Sequence, residues 1–256
     1  LAALRPALER AHEYAKDTVR WAAGLTIPAF ERDMRFVSLR HPAEYPFNDG
    51  RLVSNDGVDV APSAWDTVFE EHQVQGSNAL HARSKDGRAP YLLGAPARIA
   101  LCADALHPTA REALGATGMA ERVKTNIFAS IVARSVELVH ATAEALDIIE
   151  AYRPPSEPFT PWRARPGVGA WATEAPRGLC FHRYEVDGEG RIAHCAIVPP
   201  TSQNQAAIEA DLVVAGQAVL EMSHEAATRH LEHMIRSYDP CISCATHFLD
   251  LTIERA

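Results

Sequence analysis

Apolar and polar residues alternate with a helical period in two long segments of the chain. Over residues 1–24, apolar side chains recur every three to four positions, as one buried helix face requires. Residues 121–152 repeat this pattern, and Pro154-Pro155 ends the second predicted helix. Arg134 and Glu137 lie three positions apart in it and are spaced to pair across one turn. Its apolar stripe comprises Val123, Ile127, Ile131, Val132, Val136, Val139, Ala143, Leu146 and Ile149.

Shorter signals lie between the two helices. Asn55-Asp56-Gly57 separates two apolar pairs and predicts a β-hairpin near residues 50–60. Ser63, just after Pro62, is positioned to cap a short helix. That helix is expected to carry Trp65, Val68 and Phe69.

Acidic and imidazole side chains follow in a polar stretch. Such residues are potential metal ligands, but in this setting they are more often found on the surface or in loops. We therefore predict surface or loop positions for Glu70, Glu71, His72 and His81.

The remaining part of the chain changes from strand-like to helical patterning. Residues 179–186 and 191–198 alternate with a period of two and flank a turn, so 167–200 is predicted to be β. Residues 206–237 then supply helices. The expected fold class is mainly α with a small β region (α+β). We divide the chain into a helical part (1–155, with the hairpin near 50–60), a small β region (156–205), and helices with a C-terminal loop (206–256).

Composition narrows the function classes. The 256 residues carry a formal net charge of −8, which argues against nucleic acid as the main partner. No apolar run approaches the roughly 18–20 residues of a spanning helix, and no signal peptide is visible. The five cysteines are odd in number and form no disulfide framework, which is typical of a reducing, cytoplasmic compartment.

Two thiols and an imidazole are evenly spaced near the end of the chain, in Asp239-Pro240-Cys241-x-x-Cys244-x-x-His247. Thiolates are soft donors that suit zinc, nickel, copper(I) or iron–sulfur clusters. Pro240 predicts that the preceding helix ends here. From residue types alone, a structural zinc half-site, a redox pair and two buried cysteines remain alternatives, the redox pair being disfavoured by its late position.

The longer string Ile235-Arg236-Ser237-Tyr238-Asp239-Pro240-Cys241-x-x-Cys244-x-x-His247 resembles the C-terminal signature of nickel–iron hydrogenase large subunits. The resemblance implies the long-helix bundle core of that family. It also implies a nickel–iron centre with cyanide and carbonyl ligands on iron. By this resemblance Cys241 is a terminal nickel ligand and Cys244 bridges nickel to iron. His247 would help to hold Mg²⁺ (or Fe²⁺).

Glu174-Ala175-Pro176-Arg177-Gly178, by residue types, is a turn before a strand. It also resembles the family string that places a guanidinium over the open face of the metal centre. Arg177 would then bind the cyanide ligands and polarise a small bound molecule. Pro176 would shape the pocket, and Asp239 would pair with Arg177 and hold it in place.

The third string, Val198-Pro199-Pro200-Thr201-Ser202-Gln203-Asn204, has the composition of a polar loop before a helix. It resembles the family segment that donates hydrogen bonds to an iron-bound cyanide. Thr201 would be the donor, with Ser202 beside it, while Gln203 stands where many members have Trp. The middle strings 77–81 and 91–98 resemble the soluble, cytoplasmic branch.

The resemblance implies reversible oxidation of dihydrogen, with the Cys241 thiolate as base assisted by Arg177. The family's other Cys-x-x-Cys is absent here, so we expect it on an N-terminal half that is a separate chain or a missing segment, as the start at Leu1 also suggests. Further expected partners are an iron–sulfur small subunit and flavin/NAD(P) diaphorase subunits. The alternatives are a hydrogenase-fold structural or electron-transfer-complex subunit without the metal, and a structural zinc protein.

Overall fold

The structure is a computed structural model and describes residues 2–241. Within this range it contains eight α-helices and nine β-strands. The helices are α1 Arg5–Ala23, α2 Trp65–Val68, α3 Ala95–Cys102, α4 Pro108–Thr117, α5 Ala120–Val123, α6 Ser130–Ala151, α7 Pro200–Val219 and α8 His224–Ser237. The strands are β1 Arg35–Arg40, β2 Arg51–Ser54, β3 Asp59–Val60, β4 Phe69–Gln73, β5 Leu80–Ser84, β6 Tyr91–Leu92, β7 Gly167–Ala175, β8 Gly178–Val186 and β9 Ile192–Val198.

The strands form three small sheets in the described part of the chain. The first has the order β3-β2-β1-β6, in which β6 is parallel to β1 and the other pairs are antiparallel. Its β2–β3 connection is the hairpin predicted at Asn55-Asp56-Gly57. The second sheet is the β4–β5 hairpin, and the third is the antiparallel meander β7-β8-β9. More of the described residues lie in helices than in these small sheets, which confirms the expected α+β class.

The two longest helices pack against each other, and the apolar faces predicted from the sequence lie between them. Ala15, Val19 and Ala22 of α1 join a buried cluster with Val132, Val136 and Val139 of α6. Helices α3 and α4 contribute to the same cluster. The α1–α6 pair, together with α3 and α4, therefore forms the main helical core of the described residues.

A second buried cluster joins the last two helices to the start of α3. Leu231 and Met234 of α8 pack against Ile208 of α7 and Phe128, which lies just before α6. The α8 end is further fixed by Tyr238, whose hydroxyl donates to Asp211 Oδ2 at 2.6 Å. These contacts hold the end of α8 beside α7 and Phe128.

The second predicted long helix is interrupted. Residues 120–123 form the short helix α5, and α6 begins only at Ser130, after a 3₁₀ turn at Ile127–Ala129. Asn126 causes the break, because its Oδ1 accepts from Phe128 N at 2.9 Å while its Nδ2 donates to Pro28 O at 2.9 Å. An Asn side chain can in this way replace helical backbone bonds.

The expected cap at Ser63 is wrong. Residues Pro62–Ala64 form a 3₁₀ turn without a side-chain cap, α2 ends at Val68, and Phe69 is buried in β4. The surface prediction for the polar stretch is wrong at His81, which is only 5% exposed. His81 lies on β5 opposite His72 of β4, so cross-strand pairing rather than a loop sets its position.

The third sheet places the segment 174–178 at the tip of a hairpin. Ala175 of β7 pairs with Gly178 of β8, so Pro176 and Arg177 form a two-residue connection. The segment 198–204 was expected to be a polar loop before a helix. Instead, α7 begins at Pro200, and residues 201–204 form its first turn. In the part of the chain that the structure describes, no helix is long and apolar enough to cross a membrane.

Candidate functional site

The hairpin tip meets the residues that follow α8. Arg177 Nε lies 3.3 Å from Asp239 Oδ2 and donates to the backbone oxygen of Asp239 at 2.6 Å. The expected pairing of Arg177 with Asp239 is therefore present. Both side chains are about 40% exposed, so the pair lies at a surface cleft rather than in the core.

Asp239 also turns the backbone toward α7. Its φ of 53° is the left-handed conformation in which helices commonly terminate, and its N–H donates to Arg236 O at 2.9 Å. After this turn and Pro240, Cys241 N donates to Thr201 Oγ1 at 3.1 Å. The three strings that are far apart in sequence thus converge around Cys241. The predicted helix end before Pro240 is confirmed, since α8 ends at Ser237.

The first turn of α7 is a buried, polar surface. Thr201 and Ser202 are each 2% exposed. Ser202 Oγ donates to Pro199 O at 2.9 Å, so its proton is engaged within the turn. Thr201 Oγ1 accepts from Cys241 N, and a hydroxyl that accepts one hydrogen bond can still donate one. Helix N-termini also favour negative charge through their free N–H groups.

Gln203 and Asn204 hold this turn against the sheets. Gln203 Nε2 donates to Leu179 O at 2.7 Å, and Asn204 Oδ1 accepts from Leu93 N at 2.8 Å. Gln203 thus fills its buried position with hydrogen bonds to the backbone of β8. The two amides fix the turn that carries Thr201 relative to the hairpin that carries Arg177.

A buried ion network below the hairpin tip was missed by the sequence analysis. Arg98 of α3 is 1% exposed and pairs with Glu137 at 2.6 Å and with Glu174 at 2.7 Å. The expected Arg134–Glu137 pair is wrong, because Glu137 points to Arg98 instead. The available signal was a lone arginine within the apolar segment Ala95–Cys102. Buried charges of this kind are found with partners.

Arg134 lies on the other side of the cleft. Its Nη1 is 3.8 Å from Asp239 Oδ1, so Asp239 faces two guanidinium groups. Burial, together with the positive charge of Arg177, lowers the pKa of Arg134, although Asp239 acts in the opposite direction. Pro176 and Arg134 line the cleft with Arg177 and Asp239. The site is therefore rich in positive charge, which suits anionic ligands.

The donor set fits a thiolate-bound metal only in part. Cys241 supplies one soft donor beside Thr201 and the Arg177–Asp239 pair. Cys244 and His247 lie outside the described residues, so the structure does not bear on them. Among residues 2–241, no three His, Cys, Asp or Glu side chains lie close enough to hold a metal ion. Further ligands would therefore have to come from outside the described residues.

The family model described as Nickel-dependent hydrogenase matches residues 100–247. This is more than half of the chain and includes every string assembled around Cys241. The chain belongs to the nickel-dependent hydrogenase family. Residues 100–247 of this hydrogenase chain contain Arg177, Thr201 and the closing Cys-x-x-Cys-x-x-His string.

Curated relatives agree with this family. The chain is 30% identical over 203 residues to "Sulfhydrogenase 1 subunit alpha" of Pyrococcus furiosus, covering 78% of this chain and 46% of the relative. It is 31% identical over 130 residues to "NAD-reducing hydrogenase HoxS subunit beta" of Cupriavidus necator, covering 46% of this chain and 25% of the relative. The hydrogenase chain thus spans about half or less of the length of these two relatives.

A solved structure shares its fold. The "Crystal structure of NAD+-reducing [NiFe]-hydrogenase in the H2-reduced state" superposes with a TM-score of 0.77 at 22% identity, covering 94% of this chain and 58% of that chain. The likeness shows that nearly the whole chain shares its fold with about three fifths of that chain.

Proposed function

We propose that this chain is the C-terminal part of the catalytic subunit of a nickel–iron hydrogenase, which oxidises dihydrogen reversibly to protons and electrons. One observation carries the proposal: Arg177, Thr201 and Asp239 meet around Cys241, at 3.3 Å between Arg177 and Asp239 and 3.1 Å between Cys241 N and Thr201. These residues are far apart in the sequence. Family membership supports the same activity.

Cys241 and Cys244 would hold the nickel, and His247 would hold Mg²⁺ or Fe²⁺. When bound, the nickel–iron centre with its cyanide and carbonyl ligands would supply the Lewis acidity that activates dihydrogen. Dihydrogen is apolar and a weak acid, so its cleavage needs a base for the proton and an acceptor for the remaining hydride equivalent, which the bound centre would supply before its two electrons leave and the second proton is released. The Cys241 sulfur is the proposed base.

The other residues would act through charge and position. Arg177 offers a permanent positive charge and fixed donors to cyanide ligands and to a small molecule in the cleft. Asp239 orients that guanidinium through Nε, and Thr201 would donate a hydrogen bond from its hydroxyl to a cyanide. Pro176 lines the cleft without adding a donor. Ser202 would support the α7 turn rather than donate to cyanide, because its hydroxyl bonds to Pro199 O.

The rest of the subunit would dock beside this site. A largely apolar groove of about 590 Å³ lies between α1 and α6 and ends at Arg134 and Pro176, which also line the Arg177 cleft. Trp21 and Leu138 line it and are 59% and 51% exposed. Since the chain spans about half of its relatives, we propose that the other half, with the second cysteine pair, fills this groove.

A double variant tests the docking. Trp21→Lys with Leu138→Glu in the full-length subunit should prevent stable assembly and nickel retention, because two charges would enter an apolar interface. Ile148→Glu is the matched control, since Ile148 is 60% exposed on α6 but does not line the groove. Equal assembly of the double variant and the control would reject the groove as the interface.

Electrons would pass to an iron–sulfur small subunit and from there, through flavin subunits, to NAD(P). The relative named an NAD-reducing hydrogenase and the NAD+-reducing structural neighbour support this acceptor, and with it a cytoplasmic complex. Reduction of NAD(P) by dihydrogen in the purified complex, compared with reduction of an artificial dye alone, tests this part separately.

Metal analysis and infrared spectroscopy of the mature, full-length enzyme test the central proposal. Nickel with iron, and cyanide and carbonyl bands, are the expected results. Cys241→Ala should abolish nickel retention, whereas Cys195→Ala should not, because Cys195 is an exposed residue of β9. Zinc alone, or no metal in the wild type, would contradict the proposal.

A further inference from the structure

Arg98 is fully enclosed by acceptors. Nε and Nη2 bond to the two carboxylate oxygens of Glu137 at 2.6 and 2.7 Å, and Nη1 bonds to Glu174 at 2.7 Å. Burial alone would lower the pKa of Arg98, but the Glu137 and Glu174 carboxylates outweigh it, so the pKa is raised. Arg98 therefore stays charged, and its two carboxylate partners balance the charge.

Two further donors of Arg98 reach the hairpin backbone. Nη1 donates to Ala175 O at 3.0 Å and Nη2 donates to Pro176 O at 3.1 Å. A guanidinium has five N–H donors, and each of them thereby has an acceptor. The two carbonyls belong to the residues immediately before Arg177. Arg98 is thus bonded to the backbone that places Arg177, although it does not contact the Arg177 side chain through any of these bonds.

The hairpin tip is also held by close backbone packing against residues 93–94. A Cβ added at Gly94 would lie 2.9 Å from Arg177 O, and one at Gly178 would lie 2.4 Å from Leu93 Cβ. The 93–94 and 177–178 backbones therefore touch with no room for a side chain between them. Arg98 bonds the carbonyls of residues 175 and 176, and Gly94 packs against the carbonyl of residue 177, so three consecutive carbonyls of the tip are fixed.

Glu174 ties the same network to the first sheet. Its second oxygen accepts from Leu39 N of β1 at 2.8 Å, so Arg98 is linked through Glu174 to a strand outside the hairpin. Glu137 is held in turn by Tyr45, whose hydroxyl donates to it at 2.7 Å. Each carboxylate is thus oriented by a hydrogen bond that does not involve Arg98. Their fixed positions in turn define the orientation of the guanidinium that bonds both.

We propose that Arg98 is a positioning residue, which sets the location of the Arg177 guanidinium through the carbonyls of Ala175 and Pro176. The inference rests on the proposed function, because it assigns a consequence to the place of Arg177 beside the metal ligands. The buried arginine acts on the exposed one through two peptide units. A shift of the tip would move Arg177 relative to Cys241 and Thr201.

Arg98→Lys in the mature, full-length enzyme tests this role. Lysine keeps the charge but lacks the planar fork, so it cannot satisfy two carboxylates and two carbonyls at once. We expect a shift or splitting of the cyanide infrared bands and a turnover lowered about 10- to 100-fold, since a displacement near 1 Å can cost this much. The nickel and iron content of the folded fraction should stay at the wild-type level.

Arg183→Lys is the matched control. Arg183 lies on β8 of the same hairpin and pairs with Asp66, away from residues 174–177. It should lower stability slightly and leave the cyanide bands unchanged. Unchanged bands in Arg98→Lys, with only a lower unfolding temperature, would overturn the inference. Absence of the bands in the wild type would instead reject the proposed function.

Glu174→Gln provides a second measurement if Arg98→Lys does not mature. The amide keeps the shape of Glu174 and one acceptor oxygen, but it removes a charge from the network. The expected result is the same direction of band shift at smaller size, with turnover reduced less than tenfold. Wild-type bands in this variant, with a lowered unfolding temperature that proves the network was disturbed, would also overturn the inference.

Discussion

The regions around Arg98 and Arg177 use the same side chain in opposite ways. Arg98 is 1% exposed and all five of its donors have protein acceptors, whereas Arg177 is about 40% exposed and, within residues 2–241, its bonds use Nε alone. A guanidinium whose donors are all occupied becomes part of the scaffold. One with free donors at a cleft is available to a ligand. The number of donors already bonded separates the two roles.

The largest expected effect is the loss of activity on substitution of the exposed Arg177. Arg177→Lys should lower hydrogen-dependent dye reduction about 100- to 1,000-fold, because the fixed donors of the guanidinium are lost. The free energy of unfolding should change by less than about 0.5 kcal/mol, as for other exposed positions. Chemical denaturation and kinetics of the same preparation check both values.

Arg83→Lys is the control for this variant. Arg83 is a similarly exposed arginine on β5 that pairs with Glu70 at 2.9 Å. It should leave both activity and stability unchanged. A large loss of stability in Arg177→Lys would show that Arg177 belongs to the scaffold and would remove the contrast with Arg98.

Gly178→Ala tests the close packing of the hairpin tip against Leu93 and Gly94. Gly57 and Gly178 both have a positive φ, but an added Cβ at Gly57 meets no atom within 4 Å. Both substitutions carry the backbone strain of alanine at positive φ, and only Gly178→Ala also forces the tip away from Leu93. We expect Gly178→Ala to cost about 1–3 kcal/mol more than Gly57→Ala in denaturant unfolding.

Equal costs for the two alanine variants would contradict this packing argument. Cyanide bands that shift in Gly178→Ala but not in Gly57→Ala would extend it, because they would show that the tip transmits its displacement to the metal site.

The third prediction concerns the pH dependence of stability, which we expect to depend on His140, a buried residue of α6. Burial lowers the pKa of His140 to about 4, with Glu137 opposing and His107 adding to the shift, and the ring packs 4.7 Å from Tyr45. Between pH 6.5 and 4 the unfolded chain binds a proton that the folded chain does not, so stability falls as pH falls. The expected loss is about 2 kcal/mol between pH 7.5 and pH 5.

His140→Asn keeps an acceptor near Nδ1, which accepts from His107 N at 3.0 Å, but removes the titration. Urea unfolding at several pH values should show a flatter profile for this variant over the same interval. Identical pH profiles for wild type and variant would show that other groups cause the acid sensitivity.

The smallest expected effect is at the contact between α7 and the thiol segment. Thr201→Val removes the acceptor of Cys241 N, and the loss of this hydrogen bond should cost about 1 kcal/mol. Amide exchange at Cys241 should then be roughly fivefold faster, since 1 kcal/mol corresponds to about that factor. Thr201→Ser keeps the hydroxyl and should retain slow exchange. Equal exchange in both variants would mean that Thr201 does not protect this amide.

Short strings predicted residues that meet around Cys241, and periodicity predicted helices, but neither predicted the buried network around Arg98. Arg177, Thr201 and Asp239 stand in local motifs that can be recognised without coordinates. Arg98 is missed because its acceptors, Glu137 and Glu174, come from other elements. The break at Asn126 escapes for the same reason, since one of its two bonds goes to Pro28 O. Interactions between distant segments are invisible to local patterns.

Arg177 lies in the two-residue turn that joins β7 to β8. The lengths of these two strands therefore determine the position of its guanidinium. A one-residue insertion near Ala175 or Gly178 would exchange the two faces of the sheet and bring a neighbour to the tip. The register irregularity recorded between β8 and β9 lies at Glu185/Val186, at the far end of the meander. Natural variants of this protein should therefore tolerate insertions and deletions at that distal end, while the spacing from Glu174 to Gly178 remains constant.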